Sequence, residues 1–326
     1  MSRQRVGAGL LGAIVLLLAA APVVSPNDPS RSFSTLAFAP PMRPRIFDNG
    51  QIRRPFVYPL VVVVDRQVRR FEEDRARPVT LTFFAGGRLV TTPADQPWLP
   101  LGGDPLGRDL FSRLLHGGRL SLGVAAVGVL AALVLGGFAG AIAGFAGGRT
   151  DRMLMGLADF TIVLPLIYVV VTLRAAMPLT LETATLFGTM ASVLALASWP
   201  LPARGVRAVI ASERQKEYAE AAYAAGGGPL RILLRHLLPA AAGQIATHGM
   251  LLFPAFIFAE ATLSFVGLGF AEPASSWGHM LTDAGRVSAI VDAPWLLAPA
   301  AAIVVTVFGV RLLIADVGRV GVVSPS

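Results

Sequence analysis

Long uncharged stretches alternate with short charged ones along this chain, and that alternation sets the expected architecture. Val6–Val24, Leu120–Gly148, Thr183–Ala203 and Ala293–Val310 carry no charge apart from an aspartate at position 292 just outside the last. Met153–Thr172 carries Asp159 and Pro165, and a fifth apolar segment runs from about Ala240 to Gly269. Crossing the ~30 Å hydrocarbon layer takes about 20 residues in a helix, so each stretch is long enough to span. The pattern predicts an all-α polytopic membrane protein with about six transmembrane helices. Arg3 and Arg5 before Val6–Val24 also fit the start of a cleavable signal peptide. The length of the stretch favours a retained first span.

From Ser25 to His116 proline, arginine and polar residues take over. Tyr58–Val64 is a β-branched run, and Val79–Phe84 and Arg88–Thr92 flank Gly86-Gly87 as hairpin strands would. A small β-containing periplasmic insertion after the first helix follows. The expected division is residues 1–24 for the N-terminus and first span, 25–118 for the insertion and an amphipathic segment, and 119–326 for a five-helix domain. Within that domain, 204–239 is a charged loop. Gly136, Gly140, Gly144 and Gly148 recur every four residues, a stripe that lets a neighbouring helix approach closely.

The charged loop has its own pattern. Tyr218, Ala221, Ala222 and Ala225 share one helical face. Gly226-Gly227-Gly228 then stops that helix, and Pro229 suits the first turn of a second short helix ending at Leu238-Pro239, with Arg231 and Arg235 one turn apart. Such a break projecting from a membrane suits docking onto a soluble partner; an ordinary alanine-rich surface helix has the same pattern.

Composition removes several alternatives. The 326 residues are 54% hydrophobic and 15% charged, with a mean hydropathy of +0.63, far from a soluble domain. Absence of cysteine excludes disulfides and thiolate chemistry. Lys216 is the sole lysine and no phosphate-cradling glycine loop precedes it, so ATP, if used, binds on another chain. The net charge of +8 is spread in a way that answers to topology, not nucleic acid. With the N-terminus in the cytoplasm, Arg3, Arg5, Arg149, Arg152, Arg204, Arg207, Arg214, Lys216, Arg231, Arg235, Arg311 and Arg319 lie inside. The short outer loops then hold only Arg174 and Arg286, as the positive-inside bias requires, although Arg108, Arg113 and Arg119 sit outside near the second span. Asp159, His248 and Glu260 are the main ionisable groups within spans, and a mid-membrane charge must face protein or water. Either they hold helices together, or Glu260 and Asp159 line a gate or substrate path. No catalytic constellation or metal cluster is evident among the scattered histidines.

Three segments resemble the inner-membrane permease subunits of the dipeptide, oligopeptide and nickel branch of bacterial ABC importers. The first is Glu220-Ala221-Ala222, then Gly226, His236 and Leu238-Pro239; the second runs from Leu101 to Leu122 through Gly107-Arg108-Asp109, with Gly103 where threonine is usual. The third is Glu260–Gly269 with Trp277-Gly278. The match covers roughly residues 97–310 and the first span. It departs at Arg311–Asp316 and at Ser324-Pro325-Ser326, where the family shows a different ending. The resemblance implies a non-catalytic subunit of a bacterial inner-membrane importer working by alternating access, with Glu220, Ala221, Ala222, Gly226, His236 and Pro239 coupling it to ATPases. The implied partners are membrane lipid, a second homologous permease, two ABC ATPase subunits carrying ATP and Mg, and an extracytoplasmic substrate-binding protein, with no cofactor on this chain. Cargo stays open between dipeptide, longer peptide and nickel chelate. On a short amphipathic helix that holds both, the i, i+4 spacing predicts an Asp109–Arg113 pair. Two rivals remain: an ion-coupled secondary transporter using Asp159 or Glu260 as a proton site, for which no inverted repeat is evident, and a non-transporting receptor.

Overall fold

A computed structural model describes residues 3–48, 51–65, 68–165, 168–169, 171–172, 182–270, 272–285 and 291–314. Arg174, Arg286, Arg319, Asp316 and the Ser324-Pro325-Ser326 ending lie outside the described residues. The chain forms two compact units, Met1–Ser121 with Ala261–Ser326, and Leu122–Glu260.

In the first unit, α1 (Arg3–Ala19) and the short α2 (Ala21–Val24) precede the insertion. Among the described residues seven strands follow: β1 (Arg45–Asp48), β2 (Gln51–Val57), β3 (Leu60–Asp65), β4 (Val68–Glu73), β5 (Val79–Thr80), β6 (Thr82–Ala85) and β7 (Arg88–Thr91). They make an antiparallel sheet in the order β1-β2-β5 and two hairpins, β3–β4 and β6–β7. The β6–β7 turn is Gly86-Gly87, both with φ above 0°, as a tight type I′ connection requires. Charged β4 reads poorly as a strand from sequence, because Arg69, Arg70, Glu72 and Glu73 interrupt its apolar alternation. Trp98 packs against both small apolar clusters of the insertion, one around Leu36, Met42 and Leu99, the other around Val57, Val79 and Leu81. Its Nε1 donates to the Met42 carbonyl at 3.0 Å.

Leu110–Ala146 forms α3, which passes from the first unit into the second. The second unit adds α4 (Gly148–Val163), α5 (Thr183–Ser198), α6 (Pro200–Glu213), α7 (Glu217–Ala224) and the single turn α8 (Pro229–Ile232). It also holds most of α9 (Ala242–Phe265), which ends in the first unit. Completing the first unit are α10 (Trp277–Asp283) and α11 (Ala298–Ile314). Beside α1, α11 comes close at Gly7, where an added Cβ would lie 2.7 Å from the Leu313 nitrogen.

The glycine stripe on α3 is a packing seam. Added Cβ atoms at Gly136, Gly140 and Gly144 would stand 2.5 Å from the Trp199 carbonyl, 2.2 Å from the Ala203 carbonyl and 2.7 Å from the Arg207 carbonyl, so α6 lies directly on the α3 backbone. Gly148 does not join it: with φ of +58°, next to Gly147 at +64°, it makes the turn into α4, and its Cβ would meet nothing. The expected fourth span, Thr183–Ala203, instead bends by 46° where Pro200 ends α5, and its second limb continues to Glu213.

By length and apolarity, α3, the helical run Pro229–Phe265, the run Pro294–Ile314, and the bent α5–α6 pair can each cross a membrane. The protein is an all-α polytopic membrane protein with a small β-containing insertion after its first helix.

Candidate functional site

The charged loop folds as a short amphipathic helix closed by glycine. Lys216 stands at the N-cap of α7, and Glu217 and Glu220 occupy its first turn, where negative charge complements the helix dipole. At the far end Gly226 takes φ of +78°, its N–H donates to the Tyr223 carbonyl at 2.9 Å, and Gly227 N–H donates to Ala222 at 3.0 Å. That pair of bonds is a Schellman closure, which needs a residue without Cβ strain at its left-handed position.

The inward side of α7 is Ala219, fully buried with Val206, Ile210, Ile232 and Leu237. Tyr223 stacks on Phe145 with ring centroids 6.5 Å apart. Of the face expected from the heptad-like spacing, Ala222 is half-buried, while Tyr218, Ala221 and Ala225 are exposed together with Glu220. Beyond Gly228, the expected second helix is not separate: α8 runs through a π turn at Leu233–Leu237 and a 3₁₀ turn at Leu238–Ala241 straight into α9. Pro239 has no N–H for the i→i−4 ladder, and the change of helical pitch around it absorbs the missing bond. His236 and Pro239 are both exposed on this stretch.

A clasp that the spacing did not reveal anchors the start of the loop. Lys216 Nζ donates to Glu213 Oε1 at 2.7 Å and the Tyr218 hydroxyl to Glu213 Oε2 at 2.8 Å. These two bonds, Lys216 first, lower the Glu213 carboxyl below its ordinary value. Arg207 Nε donates to Asp151 at 2.9 Å, tying α6 to α4, and Arg214 donates to the Phe145 carbonyl.

Residues 136–317, which include this loop, match the family model described as binding-protein-dependent transport system inner membrane component. This chain belongs to that family. It is 34% identical over 222 residues to the oligopeptide transport system permease protein OppC of Bacillus subtilis (strain 168), covering 68% of this chain and 70% of the relative. Against the dipeptide transport system permease protein DppC of the same organism it is 35% identical over 223 residues, 68% of this chain and 67% of the relative. Among solved structures, an inward-facing MetNI methionine ABC transporter is similar at 19% identity and a TM-score of 0.48, covering 63% of this chain and 97% of that one.

Elsewhere in this inner-membrane component, Asp159 on α4 forms an ion pair with Arg204 on α6, and both are largely exposed. Glu260, on α9, is fully buried. Asp159 and Glu260 therefore lie in different settings, one at an exposed helix–helix contact and one in the interior.

Asp104, Arg108 and Arg113, from the segment around Gly107-Arg108-Asp109, build a buried ion network in the first unit. Asp104 Oδ1 accepts from the Leu106 and Arg108 N–H groups at 2.8 and 2.9 Å. Its Oδ2 accepts from Arg108 Nε at 2.6 Å and lies 3.3 Å from Arg113 Nε. Asp104 and Arg113 are fully buried. Glu272 joins both arginines, with Arg113 Nη2 at 3.2 Å, and His279 Nε2 lies 3.2 Å from it. Burial pushes the Glu272 carboxyl up, but the His279 and Arg108 hydrogen bonds and the two guanidinium charges together hold it well below the usual carboxylate range. The expected Asp109–Arg113 pair does not form. Asp109 precedes α3 and turns to cap it, accepting from Phe111 N–H at 3.1 Å, from Ser112 and from Asn27 Nδ2 at 3.0 Å. Desolvation outweighs those bonds and raises Asp109 to about 6.

Proposed function

We propose that this chain is the permease subunit of an ATP-driven importer that carries peptides into the cytoplasm by alternating access. The observation that carries this reading is the exposed Tyr218–Ala221–Ala225 face of a short helix, fixed by the Gly226 closure at the end of an apolar helical run. Small side chains there let a partner approach the helix backbone, as a coupling surface for ATPase subunits must. The names of the relatives, oligopeptide and dipeptide permeases, support peptide as cargo.

In this reading the N-terminus is cytoplasmic, residues 1–24, 25–118 and 119–326 serve as first span, outer insertion and permease domain, and 204–239 is the coupling loop. Glu220, Ala221, Ala222, Gly226, His236 and Pro239 meet the ATPase, and Glu260 and Asp159 are the candidates along the gate. ATP and Mg bind to two partner ATPases, a second homologous permease completes the pore, and an outer binding protein delivers cargo. Nucleotide can drive the cycle only through a difference in the affinity of the ATPases for the two permease conformations. Reconstitution with these partners in proteoliposomes tests the reading. Uptake of labelled peptide should require ATP and ignore an imposed proton gradient; gradient-driven uptake without ATP would favour the ion-coupled rival.

A further inference from the structure

In the second unit, an open apolar groove of about 400 Å³ lies between α3 and the helical run that leads from α8 into α9. Leu130, Phe138 and Ile142 line one side, and Leu230, Leu234 and Ile245 the other. The walls are bare: Leu130, Phe138 and Leu230 are each more than 60% exposed. Gly137 leaves the α3 side open, since an added Cβ there would meet nothing within 4 Å. Along α3 the groove extends from Leu130 to Ile142, roughly 18 Å at the helical rise, close to the ~15 Å hydrocarbon depth of a single leaflet.

Bare apolar wall alone fits bulk lipid of any kind. Charge beside its wall adds discrimination. Arg231 and Arg235 directly follow Leu230 and Leu234, are both exposed, and enter no ion pair among the described residues. Two exposed guanidiniums one turn apart, each next in sequence to a leucine that lines the leaflet-deep apolar groove, complement a phosphate with an attached hydrocarbon chain. We propose that this groove binds one anionic phospholipid, its phosphate held by Arg231 and Arg235 and an acyl chain lying between α3 and α9. The lipid then braces the helical run that carries the second half of the loop against α3. This rests on the membrane orientation of the proposed permease, but not on its cargo or its motor.

The test uses the full-length chain in its purified complex, delipidated in detergent and offered phosphatidylglycerol or phosphatidylcholine, with bound lipid counted by native mass spectrometry. Wild type should retain phosphatidylglycerol over phosphatidylcholine by roughly thirtyfold, the expectation for two basic side chains beside an anionic headgroup. The double variant Arg231→Gln, Arg235→Gln should bring that preference close to unity, and Gly137→Leu, which fills the groove, should lower retention of both lipids. Thermal unfolding of Gly137→Leu checks that it folds. Equal retention of the two lipids by wild type, or unchanged phosphatidylglycerol on folded Gly137→Leu, would overturn the proposal. So would a double variant that keeps its lipid and loses the ATPase, since the arginines would then serve the motor. Selective retention in a preparation that shows no ATP-driven uptake supports the lipid site and counts only against the transport reading.

Discussion

Gly226 offers the sharpest test of how the loop is built. Its φ is +78°, and an added Cβ would meet nothing within 4 Å, so replacing it perturbs the backbone and not the packing. A residue with a Cβ in a left-handed conformation costs about 1–2 kcal/mol, less for asparagine, whose side chain bonds locally. Such a penalty lowers the population of the native turn by a factor of ~5–30 relative to competing turns. When the turn opens, the Gly226 N–H bond to Tyr223 and the Gly227 N–H bond to Ala222 are lost and the exposed face loses its fixed angle to α9. Uptake should therefore fall in the order Gly, Asn, Ala, Val, with Gly226→Val close to inactive at an unchanged amount in the membrane. Initial rates of ATP-dependent uptake in proteoliposomes, normalised to permease content, measure this. Wild-type rates for Gly226→Val would refute the reasoning, as would Gly226→Asn as damaging as Gly226→Val, which would assign the glycine's role to contact with a partner.

Gly140→Ala should destabilise the α3–α6 seam by about 1–3 kcal/mol through overpacking, because its Cβ would stand 2.2 Å from the Ala203 carbonyl. Gly137→Ala, with open space around its Cβ, should leave the melting temperature in detergent unchanged or raised. Asp104→Asn keeps an oxygen for the Leu106 and Arg108 N–H groups but removes the charge facing buried Arg113, a loss of about 3 kcal/mol or more read as a lowered melting temperature. Asp109, raised to about 6 by burial, holds its proton more tightly folded than unfolded. Its contribution to stability is present below pH ~4 and lost as pH rises through about 6, up to ~3 kcal/mol. Melting curves for wild type minus Asp109→Asn between pH 4 and 7 should show that slope, and parallel curves would contradict it.

The spans at α3, α5–α6, α9 and α11 were legible because bilayer thickness demands long apolar runs, and the Gly136–Gly144 stripe because close helix approach demands absent side chains. The Gly86-Gly87 hairpin was legible for the same kind of local reason. Side-chain pairing was not. Spacing offered Asp109 to Arg113, whereas Asp109 caps α3 and Arg113 meets Asp104 and Glu272, a partner 159 residues away that no local rule selects. Helical spacing also grouped Tyr218, Ala221, Ala222 and Ala225 but could not say that Ala219 is the side turned inward, which depends on Val206, Ile210 and Ile232. The single helical run from Pro229 was hidden because Pro239 reads locally as a stop, while π and 3₁₀ turns carry the chain past it.

The central claim is that the exposed face of α7 is a cytoplasmic docking surface for an ATPase. The chain has no cysteine, so Ala221→Cys places a single thiol on that face. A membrane-impermeant maleimide applied to right-side-out and inside-out vesicles measures its sidedness and cover directly. Labelling in inside-out vesicles alone, suppressed when the ATPase subunits are bound, is the predicted result. Labelling in right-side-out vesicles, or labelling that bound ATPase does not reduce, would contradict the claim.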